Sequence, residues 1–343
     1  MRYYGNKTKL LPFIEEVVEQ TKINGSSTFF DLFSGTSVVG KHFKRMGFRV
    51  CSNDILEFAF SLAKTYIELN KKPTFVYLKS MYKFKSINDI LDYLNNLRNK
   101  NEGFIFKNYS PNGGRKYFTE ENALIIDAIR KKIYQWKKDT LINELEYYYL
   151  ITSLLNAINL VSNVSGTYAA FLKKWDKRAL KKIVLKEIEI IESKQKNKVF
   201  KKDANELINE IEPDILYLDP PYNCRQYASN YFLLELIAEG WFEKEPVIYG
   251  QTGMREYTNQ KSKYCSKNFA LSELYDLIDK ANSKCILLSY NNEGIISEKE
   301  ILNVLNKKGN VQVFEFEHKR YRSINQNNND PNKTNERIYM VSQ

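Results

Sequence analysis

Seven short apolar runs, at residues 28–33, 48–53, 198–200, 214–219, 284–290, 311–318 and 336–342, alternate with stretches whose apolar residues recur at helical spacing. Those stretches occupy 7–22, 38–46, 55–70, 231–243, 270–281 and 297–307. A chain that alternates in this way buries each strand between helices, which predicts an α/β fold with a doubly wound, largely parallel sheet of seven strands. The last two runs are separated only by an Asn-rich loop, 323–335, so they are expected to pair as an antiparallel hairpin at the sheet edge. The rhythm fails once, from 71 to 196. There the pattern is mostly helical, with segments at 119–137 and 140–161 and Thr119 as the N-cap of the first. A strong breaker, Ser110-Pro111-Asn112-Gly113-Gly114, precedes it. Residues 1–70 and 197–343 are therefore read as one domain, with 71–196 inserted between its second and third strands.

Composition narrows the function. The formal charge of +11 favours a polyanionic partner, nucleic acid above all, although a solvated surface tolerates the same charge. Cys51, Cys224, Cys265 and Cys285 are scattered without C-x-x-C spacing, which predicts neither a zinc site nor a disulfide framework and suits a reducing cytoplasm. The first residues lack the apolar core of a signal peptide, and the greasiest stretch, 147–161, is broken by Thr152, Ser153, Asn156 and Asn159, so no membrane span is expected. With His42 and His318 the only histidines, the chemistry must work without a histidine base, and no metal site is expected.

Two segments carry candidate chemistry. Asp31 to Gly40 follows one strand run and opens a helix, with Gly35 and Gly40 in dinucleotide-fingerprint spacing but Ser37 at the middle position. That middle glycine admits a pyrophosphate, so its absence suits a nucleoside cofactor without one, such as S-adenosylmethionine. Asp54, nineteen residues after Gly35, ends the next run, where an acid accepts from ribose hydroxyls. A tight turn with a surface Asp explains the same residues. A phosphate-binding loop is a rival, since Gly35 and Gly40-Lys41 match most of it, but His42 stands where the metal-binding hydroxyl belongs.

The second segment is Asp219-Pro220-Pro221-Tyr222, at the carboxyl end of the most apolar run. Two prolines remove backbone donors and force a rigid, extended exit. Asp219 and the Pro220 carbonyl are then placed to accept from one exocyclic amino group, while Tyr222 offers a face for base stacking. A plain proline turn is the bland alternative.

Taken in order, these motifs resemble the D12 class of adenine-specific DNA methyltransferases, the group of the Dam and type II modification methylases. Tyr3-Tyr4-Gly5-Asn6-Lys7 matches its N-terminal motif, Asp31 to Gly40 its cofactor loop with Ser37 as a departure, Asp54 its ribose acid, and Asp219 to Tyr222 its D-P-P-Y. The stretches "DPPYNCRQYASNY", "YFTEENALIIDAIR" and "SNVSGTYAAFLKKW" resemble its type II branch more than Dam. The resemblance implies a Rossmann-like methyltransferase sheet that binds S-adenosyl-L-methionine, with Tyr3, Lys7, Asp31, Gly35, Asp54 and Asp219 lining the cofactor and Lys7 near its carboxylate. It places Asp203 near the cofactor adenine, although an exposed acid before a helix reads equally well as a cap. It further implies Asp219, Pro220 and Tyr222 as catalytic residues acting on a flipped adenine. The partner is double-stranded DNA, with a possible cognate restriction endonuclease, and a bacterial, cytoplasmic, nucleoid-associated monomer is expected. Target recognition is assigned to the 71–196 insertion, where Lys173, Lys174, Lys177, Arg178, Lys181, Lys182 and Lys186 form a basic run suited to phosphates, with Arg225 added from beyond the clamp. A solvated helix face is the alternative for that run. Methylation of RNA or of cytosine N4, and DNA binding by a decayed enzyme, are the other functional readings.

Overall fold

The computed structural model describes residues 3, 5–97, 102–319 and 333–342, and every expected run is a strand in it. These are β1 (Thr28–Asp31), β2 (Arg49–Asn53), β3 (Lys198–Phe200), β4 (Ile215–Leu218), β7 (Cys285–Asn291), β8 (Asn310–Lys319) and β9 (Lys333–Ser342), while β5 (Ile248–Tyr249) and β6 (Met254–Arg255) form a separate two-residue ribbon. The large sheet has the order β3-β2-β1-β4-β7-β9-β8. β1, β2, β3, β4 and β7 are mutually parallel, and β9 runs antiparallel to both neighbours. The final hairpin therefore forms at the edge as expected, with the later strand innermost. Residues 323–332 of its Asn-rich loop lie outside the described residues. Successive connections diverge from β1 and β4, and that reversal of direction opens a crevice at the carboxyl ends of these two strands.

The chain divides into two compact units. A sheet unit comprises Gly5–Ile55, Ser193–Tyr227 and Asn259–Gln343; the other comprises Met1–Tyr4, Leu56–Glu192 and Ala228–Thr258. In the sheet unit β1, β2, β4 and β7 are buried along most of their length while the edge strand β8 is half-buried or exposed, and the two faces of the sheet differ. Phe30, Leu32, Leu216, Leu218, Ile286, Leu288, Tyr339 and Val341 pack with the helices Ala270–Lys280 and Glu298–Leu305 in one core. Strand residues alternate, so Phe29, Asp31, Tyr217, Ser289, Asn291 and Glu336 belong to the opposite face. There Phe29 stacks on Phe43 of the helix Val38–Arg45 with ring centroids 4.0 Å apart. Polar residues collect on this face toward the carboxyl ends of the strands.

The other unit is mostly helical, and its bounds are wider than 71–196. The helices Glu57–Ala63 and Phe232–Glu239 fall within it because Glu235 accepts from the backbone N–H groups of Glu57 and Phe58, at 2.8 and 2.9 Å. Tyr168 likewise donates its N–H to the Asn230 carbonyl at 2.6 Å. Thr119 caps the helix Glu120–Lys138 as read from the sequence, whereas the helix Glu144–Val161 starts later than expected, in a capping box of Asn143 and Glu146. No helix among the described residues is long and apolar enough to cross a membrane.

The basic run has no helix. Its second half is an extended strap held by side-chain amides: Asn122 accepts from Ile183 N–H and donates to the Lys181 carbonyl, both at 2.9 Å, and Asn95 does the same to both groups of Leu185. Ile183 and Leu185 are buried, and Lys182, Val184 and Lys186 are exposed.

Candidate active site

Lys7 opens the site from a short helical turn, Lys7–Leu10, capped by Asn6. Its side chain is only 6% exposed, and its ammonium lies 3.1 Å from Asp219 Oδ1 and pairs also with Glu336 Oε1. Glu336 is fixed in turn by Ser289 Oγ at 2.8 Å and Asn291 Nδ2 at 3.3 Å. Burial works against the charge of Lys7, but Asp219 and Glu336 outweigh it and hold the ammonium above the ordinary lysine range. Burial also opposes the charge of Glu336, which Lys7, Ser289 and Asn291 nonetheless keep below the usual carboxylate range.

Asp219 does not share that benefit fully. Burial pushes its carboxyl up to about 6, with Lys7 opposing and Glu336 adding to the rise. Asp31, at the end of β1, is pushed further, to about 8, by burial and by Asp219, against the N–H group of Gly40; Asp54 adds a smaller push and the N–H of Phe33 a smaller pull. Asp31 Oδ1 is buried with no hydrogen-bond partner. Asp54 anchors the loop between β1 and its helix, accepting from Gly35 N–H at 2.9 Å. The loop then turns through Ser37, which takes a left-handed conformation at φ 59° although it is not glycine, a strain of order 1 kcal/mol. The middle-position departure seen in the sequence thus keeps a glycine-like backbone.

The arrangement sets Asp54, Asp219 and Glu336 against the ammonium of Lys7, with Asp31 held largely protonated at neutral pH and able to ionise as a cation approaches. Such a surplus, with an unpartnered buried oxygen, suits a cationic ligand and repels a triphosphate. His42 is turned away to Glu15, at 2.8 Å. The phosphate-binding reading of Gly35 to Lys41 therefore has no electrostatic support.

Around the clamp, Pro220 is buried, and the Tyr222 carbonyl accepts from Ile295 N–H at 2.8 Å while its ring meets Tyr290 edge-on at 6.1 Å. Together these contacts fix the D-P-P-Y segment against β7 and the loop beyond it.

A family model for the D12 class N6 adenine-specific DNA methyltransferases matches residues 3–304. The chain belongs to that class. It is 44% identical to the type II methyltransferase M.FokI of Planomicrobium okeanokoites over 330 residues, 94% of this chain and 50% of that protein. It is 43% identical to the modification methylase StsI of Streptococcus sanguinis, over 96% of this chain and again 50% of the relative. This D12 chain thus spans about half the length of those two relatives. With the type II methyltransferase M.NlaIII of Neisseria lactamica it shares 35% identity over 99% of both chains.

The structure of this D12-class chain brings Lys7, Asp31, Gly35, Asp54 and Asp219 together. Asp203 is exposed and caps the short helix Ala204–Leu207, accepting from Asn205 and Glu206 N–H at 2.9 and 3.3 Å. Tyr3 belongs to the other unit, stacked on Tyr231 at 4.5 Å. Arg225 is exposed in the loop after the clamp. Lys173, Lys174, Lys177 and Lys181 are exposed, but Arg178 forks onto Asp176, with Nη2 to Oδ2 at 2.8 Å. Sequence reasoning missed Glu336, Ser289 and Asn291. The only trace in the sequence was an acid opening the run 336–342 and polar residues at and just beyond the end of the run 284–290, and neither shows that they meet Lys7.

Proposed function

We propose that this chain transfers a methyl group from S-adenosyl-L-methionine to the N6 amino group of adenine in duplex DNA, as the modification half of a restriction-modification system. The observation that carries this reading is the acid surplus at the carboxyl ends of β1 and β4, directly beside Asp219-Pro220-Pro221-Tyr222. When bound, the cofactor supplies an electrophilic methyl on a cationic sulfonium, the charge for which Asp31 and its neighbours are suited. Asp54 is taken as the ribose acceptor, with Gly35, Lys7 and Tyr3 lining the rest of the site and Asp203 at its margin.

The amino nitrogen of adenine is a weak nucleophile because its lone pair is delocalised into the ring. Asp219 and the Pro220 carbonyl accept its two hydrogens, which favours a pyramidal nitrogen and frees the lone pair for in-line attack. Positioning and local electrostatics supply the rate, with no histidine required. Tyr222 stacks on the flipped base and recovers part of the few kcal/mol lost on unstacking it. Residues 71–196 are taken as the target-recognition part, with Lys173, Lys174, Lys177, Lys181 and Arg225 on phosphates and Arg178 held by Asp176 in a supporting role. The enzyme is read as a monomer of the bacterial cytoplasm, acting on nucleoid DNA beside a cognate endonuclease.

The test is incubation with methyl-labelled cofactor and duplex DNA, followed by nucleoside analysis. N6-methyl-2′-deoxyadenosine is expected; label in deoxycytidine or none in duplex DNA rejects the reading.

A further inference from the structure

Lys7 stands between two carboxylates and belongs wholly to neither. Topology brings Glu336 there. Because β9 runs antiparallel to β7, its early residues lie at the carboxyl ends of the parallel strands, and Glu336 is in register with Asn291. Backbone pairing along β9 accounts for the strand; it does not account for a buried glutamate that accepts from Lys7, Ser289 and Asn291 together. An ammonium paired with Asp219 alone would neutralise that carboxylate and occupy its acceptor sites. An ammonium shared with Glu336 does so only in part.

We propose that Glu336 is a positioning residue for Asp219: by drawing Lys7 into a shared arrangement, it keeps the Asp219 carboxylate from being fully engaged by the ammonium and so leaves it a stronger acceptor for the hydrogens of an amino group. This rests on the adenine-methylation reading above. The ionisable groups facing Asp219 are Lys7 from the N-terminal turn, Glu336 from β9, Asp31 from β1 and Tyr217 from β4. Lys7 weakens proton binding at Asp219, and Glu336 strengthens it. Removing the Glu336 charge therefore gives Asp219 the whole of Lys7, and Asp219 must hold its proton less tightly.

The experiment compares wild type with Glu336→Gln in two ways. In cofactor-free protein labelled with nitrogen-15 lysine, the Lys7 ammonium signal, assigned by its loss in Lys7→Arg, reports the titration of Asp219. Its midpoint is expected near pH 6 in wild type and about one unit lower in the variant. In single-turnover methyl transfer to duplex DNA, the acid limb of the pH profile should move by the same amount, with a plateau roughly tenfold lower. An unmoved midpoint overturns the proposal. So does a moved midpoint with an unmoved acid limb, because Glu336 would then tune Asp219 without bearing on the reaction. If the midpoint moves but wild type methylates no DNA, the network stands and the functional reading fails. Should Glu336→Gln lack the wild-type circular dichroism spectrum, Glu336→Asp serves instead. Its carboxylate withdraws by one methylene, so both shifts should keep their direction at smaller size, and no shift overturns the proposal.

Discussion

Glu235, Asp127 and Glu146 lie buried in the helical unit, and each gives both carboxylate oxygens to backbone N–H groups. Glu235 accepts from Glu57 and Phe58, Asp127 from Ile105 and Phe106 at 2.9 Å each, and Glu146 from Asn143 at 3.0 Å and from Phe75. In the sheet unit Asp31 and Glu336 are buried and Asp219 is half-buried, but Asp219 and Glu336 share one lysine and a few side chains, and Asp31, although Gly40 and Phe33 turn N–H groups to it, leaves Oδ1 without a hydrogen bond. In the first region buried charge completes helix ends that would otherwise leave donors orphaned. Gly103 belongs to the same device, since a Cβ there would lie 2.3 Å from the Asp127 carboxyl carbon. In the second region the charge exceeds what the fold requires, a pattern that accompanies functional sites. Burial of an acid is thus uninformative by itself; what its two oxygens touch separates a structural role from a functional one.

Substitutions can break this contrast. Asp219→Ala should leave the melting temperature within a few degrees of wild type yet slow methyl transfer at least ~100-fold, the scale for removing a positioned group. Activity above a tenth of wild type would place Asp219 with the structural acids. Glu235→Ala should do the reverse. Two buried N–H groups lose their acceptor, which costs about 2–4 kcal/mol, and thermal or urea unfolding should record it while the rate per folded molecule stays unchanged. A large rate loss in a fully folded Glu235 variant would show that the distinction by partners is wrong.

The basic segment extends the comparison to the surface. Changing Lys173, Lys174 and Lys177 together to Ala should flatten the dependence of log DNA affinity on log salt by up to about 2–3 units, while cofactor affinity and sequence preference persist. An unchanged slope would mean that these exposed lysines are solvated only. Arg178 makes a poorer probe because Asp176 already holds its guanidinium. The smallest effect is expected at Ser37→Gly, which relieves the left-handed strain in the loop after β1 and should raise the melting temperature by one or two degrees. A lower melting temperature would mean that the buried Ser37 side chain is worth more than the strain.

The sheet was legible because buried parallel strands read as continuous apolar runs, and all seven appear where the pattern puts them. The positions of the segment Asp219 to Tyr222 after β4 and of the loop after β1 were legible because local chemistry fixes them. Glu336 was not, because its role comes from meeting Lys7 and Asn291 across the sheet, and no spacing in the chain announces it. The form of the strap escaped for a similar reason. A lysine-rich stretch with apolar residues reads as a helix, but Asn95 and Asn122, 90 and 61 residues away from the N–H groups they hold, impose an extended path. The limits of the helical unit also depend on a distant residue, since Glu235 ties the helix after β2 to a segment that follows the clamp.

The place of β9 has a consequence for the order of assembly. Lys7 and Glu336 are 329 residues apart, among the longest loops this sequence closes, and loop closure is disfavoured increasingly, if slowly, with length. In a nascent chain β1, β2, β3, β4 and β7 are available to pair before β9 exists, whereas β8 pairs with β9 alone and must wait for it. Until then β7 presents an open edge and Lys7 has Asp219 to itself. Insertion of one strand ends both conditions together, so the step that covers the β7 edge is also the step that brings Glu336 to Lys7.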